Sequence, residues 1–238
     1  MNRTLFCLAT LSIFAGGCGR AALTAEPASA TARAEARTTA DTNADVNAEA
    51  ASAESPRQPG DFVVYRFSGS FRKDPLTLTE RVISRTADAL TVDVTADDGK
   101  TKRELRVKMS DTVAHRNEVL SVAKLENGKV TPTTIDAFEQ LLASATLSAD
   151  SNDAVLGSED VKVTVGKTAM DAKRTSFRVR VGKKHGTLKT LESTTFAWGD
   201  LGGEITTDAG KVLYKAEVVD AGHADPAAPP AAAIATDD

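Results

Sequence analysis

Along the middle of the chain, apolar and polar residues alternate with a period of two, the pattern of strands with one packed face and one wet face. Val63, Tyr65 and Phe67 alternate with Val64 and Arg66, and Leu76 and Leu78 with Thr77 and Thr79. Leu90, Val92 and Val94 alternate with Thr91, Asp93 and Thr95. Asp97-Asp98-Gly99 then supplies a hairpin turn before Leu105, Val107 and Met109. The period returns in Val161, Val163 and Val165, in Phe177, Val179 and Val181, and in Val212, Tyr214, Ala216 and Val218. Short turns between such segments predict antiparallel pairing.

One stretch departs from this period. Ile135, Phe138, Leu141 or Leu142, and Ala145 recur at helical spacing. Pro132 suits a first helical position and Thr131 the cap before it, so the pattern predicts a helix over 132–147. Its apolar stripe is expected on the open face of the sheet.

The patterned region, 60–222, has the size of one domain and contains no cysteine, so burial alone must hold it. Before it, 19–59 is rich in Ala, Thr, Glu, Asp and Ser and has no aromatic residue. Pro27, Pro56 and Pro59 interrupt it, which predicts a disordered tether. The tail, 223–238, is expected to be disordered as well. A formal net charge of -4 argues against nucleic acid as a partner.

The N-terminus carries an address. Met1-Asn2-Arg3 is short and positive, Leu5 to Ala15 is apolar, and small residues follow, as in a secretory signal peptide over 1–17. About eleven helical residues cover roughly 17 Å, too little for a hydrocarbon core of about 30 Å. Ala15-Gly16-Gly17-Cys18 resembles the lipobox of bacterial lipoproteins, with Ala15 where that family prefers Leu. The resemblance implies cleavage before Cys18 and acylation of that cysteine (palmitate among its chains). The domain would then sit in the periplasm on a lipid anchor, and with Gly19 after the cysteine the expected membrane is the outer one.

Candidate chemistry is sparse. His115, His185 and His223 are scattered, without partners at metal spacing, so no metal site and no cofactor are expected. Gly166-Lys167-Thr168 lacks the upstream glycine of a phosphate loop, since Val161 stands there. Asp150-Ser151-Asn152-Asp153 reads as a polar loop after the helix, because Ala154 and Val155 break a calcium-loop pattern. No Gly-x-Ser-x-Gly elbow is present, no catalytic residue is assigned, and a non-enzymatic role is expected.

Two features rise above this background. Lys173, Arg174, Arg178, Arg180, Lys183, Lys184 and Lys189 form a basic run with no acid between 172 and 191, around a hairpin tip at Gly182-Lys183-Lys184-His185-Gly186. Such a face is either a solvated edge or a surface for anionic head groups or an acidic partner. Phe196-Ala197-Trp198-Gly199-Asp200-Leu201-Gly202-Gly203 reads as a strand entering a glycine-rich turn. Its tryptophan is expected to plug the end of the core, with the wall of a ligand cleft as the alternative.

Many antiparallel strands with one amphipathic helix, behind a lipobox and tether, resemble the unclosed β-barrels of periplasmic lipoprotein carriers and related envelope lipoproteins. The fold class expected is mainly β (α+β): an antiparallel, strongly curved sheet or half-barrel with one amphipathic helix packed on it. In that family the concave face holds acyl chains, but the anchor at Cys18 favours a resident role, so the expected function is a non-catalytic binding or docking domain facing the periplasm, with an envelope protein or a lipid as its partner. The alternative is a carrier or acceptor of acyl chains or lipids between sheet and helix.

Overall fold

The computed structural model describes residues 56–224. The signal peptide 1–17, Cys18, the tether as far as residue 55 and the tail beyond 224 lie outside the described residues. The chain forms β1 (Asp61–Ser68), β2 (Leu76–Arg85), β3 (Ala89–Asp97), β4 (Lys102–Ser110), β5 (Val119–Glu126) and β6 (Lys129–Thr133), then α1 (Ile135–Ala145). β7 (Ser151–Val165), β8 (Thr168–Val181), β9 (Lys184–Glu192), β10 (Asp200–Thr207) and β11 (Val212–His223) follow.

All eleven strands share one antiparallel sheet in the order β6-β5-β4-β3-β2-β1-β11-β10-β9-β8-β7. Two meanders, one on each side of α1 in sequence, meet where β1 pairs with β11. The sheet does not close, which leaves β6 and β7 as edges. It is nonetheless strongly curved. The tip of the β7–β8 hairpin reaches back to β11, with Gly166 beside Asp220, although β7 and β11 are four places apart in the order.

The predicted alternation sets the core. Val63, Tyr65, Phe67, Leu76, Leu78, Val92, Val94, Leu105, Val107 and Met109 are buried in one cluster with Phe138, Leu141, Leu142 and Ala145 of α1. Arg72 Nη1 donates to the Ser144 carbonyl at 3.1 Å and Arg103 Nη2 to Ser144 Oγ at 2.7 Å, which ties the last turn of the helix to the sheet.

Four local expectations are corrected. The helix begins at Ile135 behind Thr134, not at Pro132, because 129–133 forms β6. Thr131 and Pro132 pair with Lys124 and Ala123, and a proline is tolerated there because its missing N–H lies on a strand with only one neighbour. Asn127 and Gly128, both at positive φ (51° and 77°), make the tight β5–β6 turn. His223 belongs to β11 rather than to a tail, with Nδ1 2.9 Å from Asp61 Oδ1. Ser151, Asn152 and Asp153 open β7 rather than a loop, and Asp150 accepts the Gly182 N–H at the neighbouring hairpin. Gly202 and Gly203 lie inside β10, and the turn precedes them.

Candidate functional site

The basic run is not a bare positive face. Arg178 makes two 2.8 Å hydrogen bonds to the Asp208 carboxylate in the β10–β11 turn, and Arg174 Nη1 donates to Glu159 of β7 at 3.0 Å. Asp153 lies 3.7 Å from His185, and Asp150 caps the hairpin backbone. Acids remote in sequence therefore pair with Arg174 and Arg178, two of the seven basic residues of the run. Gly166 and Lys167 form the two-residue turn between β7 and β8, so no helix follows them. No group of three or more His, Cys, Asp or Glu fit to hold a metal ion occurs among the described residues. Among the same residues, no helix is long and apolar enough to cross a membrane.

The segment 193–199 between β9 and β10 carries the most specific arrangement. It is pinched at its base by the Ser193 N–H donating to the Gly199 carbonyl at 2.8 Å, and Ser193 Oγ donates to the Asp171 carbonyl at 2.6 Å. Phe196 and Trp198 project from it as a tilted ring pair, centroids 5.8 Å apart, and both are buried in the core cluster. The tryptophan thus plugs the core, as its position before the glycines predicts.

Trp198 does so against a carboxylate. Glu80 sits in the same alternation as Leu76, Leu78 and Val82, is 7% exposed, and pairs with Val63 and Val94 across the ladders. Its Oε2 accepts the indole N–H at 3.0 Å. Burial pushes its carboxyl up, while Arg57 and the indole N–H pull in the other direction. Next to the plug, the half-buried Asp200 accepts the Gly202 N–H at 2.7 Å through Oδ1, and its own carbonyl accepts the Tyr65 hydroxyl at 2.9 Å. Burial, with Glu192 and Glu80 nearby, pushes the Asp200 carboxyl up to about 6 against the pull of the Gly202 N–H. Burial also raises Tyr65 and Tyr214, and the Tyr65 hydroxyl stays protonated as a donor.

Glu80 and Asp200 were not legible as a pair. The alternation that exposes Glu80 as an acid on the buried face becomes visible only when β2 is followed past Thr79 to Val82.

Two further surfaces bear on binding. An open depression of about 520 Å³ lies beside the plug, lined by Asp160, Lys162, Asp171, Lys173, Glu192 and Thr194 among others. The two sheet edges also differ. β6 has five residues and contains Pro132, whereas β7 has fifteen, no proline, and exposed residues from 152 to 160. Val155 and Leu156 on that edge are 65% and 56% exposed. Between α1 and the sheet the space is taken up by Phe138, Leu141, Leu142 and Ala145.

No protein-family model matches this sequence, and no curated protein sequence matches it significantly. Solved structures overlap it loosely. The hypothetical protein CT021 from Chlamydia trachomatis is 15% identical over 74% of this chain and 92% of its own, with a TM-score of 0.40. MucB is 15% identical over 76% of this chain and 57% of its own, also at 0.40. A protein described as exported, with a YmcC-like fold, from Bacteroides fragilis is 12% identical over 70% and 97%, at 0.31. Overlaps this loose carry no argument about function.

Proposed function

We propose that this chain is an envelope lipoprotein, held at the periplasmic face of the outer membrane by lipid on Cys18, whose β domain docks a partner and performs no catalysis. The observation that carries the docking reading is the asymmetry of the two edges. Open sheets guard their edges with prolines, charges or shortness, and β6 does so while β7 leaves two large aliphatic side chains in water. The occupant is an extended segment of another envelope protein, added as a twelfth strand. Its chemistry follows from β7, where Asp153, Glu159 and Asp160 stand around Val155 and Leu156, Glu159 shared with Arg174 and Asp153 with His185, while Lys162 is engaged by Asp171. An aliphatic segment flanked by Lys or Arg is complementary to it.

The test is fluorescence anisotropy with a labelled peptide of alternating Val and Thr carrying Lys at both ends. Saturable binding is expected, with loss in Val155→Lys/Leu156→Lys and for a peptide flanked by Glu. Binding that survives the double substitution, or no binding at all, overturns the edge as the docking site. Concentration-dependent dimers broken by the same substitution would make a second copy the occupant instead.

The anchor is tested separately by fractionating cells that express wild type or Cys18→Ser, with mass spectrometry of the N-terminal peptide. A serine variant that stays in the membrane fraction after signal cleavage overturns the lipid anchor. The acyl-carrier reading requires the side chains between α1 and the sheet to be displaced. Saturable uptake of a fluorescent fatty acid by the protein would favour it.

A further inference from the structure

Trp198 and Asp200 are coupled through their backbones. The Asp200 N–H donates to the Trp198 carbonyl at 2.8 Å, and the Gly199 N–H donates to the Phe196 carbonyl at the same distance. Gly199 between them takes φ 73°, a left-handed geometry that suits glycine at a sharp reversal. With its base closed by Ser193 and Gly199, the segment 193–199 is a small closed loop that leads directly into the start of β10.

We propose that this loop is a proton-governed plug, in which the Phe196–Trp198 pair is seated on the buried face of the sheet while Asp200 is protonated and is lifted from it when Asp200 ionises. The charged neighbours of the two carboxyls decide which is the trigger. Glu80 has a counter-charge in Arg57 and a donor in the indole N–H, so it can hold the plug in either protonation state. Asp200 has a single compensating donor in the Gly202 N–H, and the other charges that bear on it are acids. They are Glu192, its cross-strand partner on β9, and Glu80 on β2. Glu192 also faces Lys173 across the β8–β9 ladder, which draws that charge partly away. Tyr65 on β1 donates to the Asp200 carbonyl, not to its carboxylate, and Tyr214 on β11 adds no positive charge.

A carboxylate formed there meets two like charges in a half-buried site, and its route to fuller solvation is outward, carrying Trp198. Because the seated carboxyl holds its proton more tightly than one surrounded by water, as the lifted loop would place it, seating is favoured at low pH and lost as pH rises through about 6. The movement bares the part of the buried face around Val63 and Val94 that Glu80 and Trp198 share.

The chain contains one tryptophan, so its emission reports this loop alone. The experiment is emission wavelength and acrylamide quenching of the full-length protein between about pH 4.5 and 8.5, with far-ultraviolet circular dichroism taken alongside. The expected result is a red shift and a severalfold rise in quenching with an unchanged sheet spectrum. Asp200→Asn should stay protected throughout, since an amide keeps an acceptor for the Gly202 N–H. Glu80→Gln keeps an acceptor for the indole but removes a like charge, so its transition should move to lower pH. A pH-independent wild type, the same transition in Asp200→Asn, or sheet signal lost together with protection overturns the plug.

Discussion

The Trp198 indole N–H donates to a Glu80 carboxylate oxygen at 3.0 Å, joining two buried side chains 118 residues apart in sequence. The bond crosses from the loop before β10 to the middle of β2, next to the junction of the two meanders. Burial makes the two ways of altering it unequal. Glu80→Ala leaves an N–H with no acceptor away from water and should cost about 1–3 kcal/mol. Glu80→Gln preserves an acceptor and removes a carboxyl that burial disfavours as an ion, so it should be close to neutral. Urea unfolding of the two variants checks this, and equal losses would show that the hydrogen bond contributes little.

The helix supplies a second contrast. Phe138 is buried against the sheet, whereas Gln140 is exposed on the opposite side of α1. Phe138→Asp places a charge in the core and should cost several kcal/mol, while Gln140→Asp should be nearly silent. Thermal melts that shift equally for both would mean that the stripe does not hold the helix down.

Gly202 admits no side chain. Its φ is 107°, and a Cβ there would run into the Ala216 carbonyl of the neighbouring strand. Gly210 also has positive φ, 79°, but sits in open space. Gly202→Ala should therefore destabilise the protein well beyond the roughly 1 kcal/mol expected from backbone strain alone at Gly210→Ala. Equilibrium denaturation of the pair separates steric conflict from strain.

Asp200 sets a pH dependence of stability. Its carboxyl is raised to about 6 in the fold, so it favours the folded state below the ordinary carboxylate range and that contribution fades as pH rises through about 6. Asp200→Asn should raise the melting temperature at pH above about 7 and change it little near pH 4. A variant that is equally stabilised at both pH values would assign the effect to something other than ionisation.

The sheet was legible because the middles of its strands obey the period of two: β1 alternates from Val63 to Phe67, β3 from Leu90 to Ala96 and β4 from Leu105 to Met109, with Val63, Val92 and Val107 at zero exposure. Failures came where one residue type serves two structures. Thr131-Pro132 looks like a helix start, yet Asn127-Gly128 just before it makes a hairpin, and ladder pairing with β5 outweighs the local preference. The basic run looked unopposed because Glu159 and Asp208 reach it from outside its own window. Glu80 was hidden for a different reason. An acid on a strand is read as wet unless the apolar residues two places away on both sides are counted with it, and here they are Leu78 and Val82.

The seam between β1 and β11 has a consequence for how the molecule comes into being. The first strand in sequence receives its second neighbour only from the last, with Asp61 aligned to His223 and the Ala224 N–H donating to the Gly60 carbonyl at 2.8 Å. The first meander is synthesised with one flank of β1 unclaimed, and it must wait for the whole second meander before that flank is covered. Such distant pairing slows folding and prolongs the exposure of unpaired strands. The two ends of the finished domain leave side by side, so a chain rejoined there and opened at the α1–β7 connection would turn the seam into a local hairpin and should fold faster.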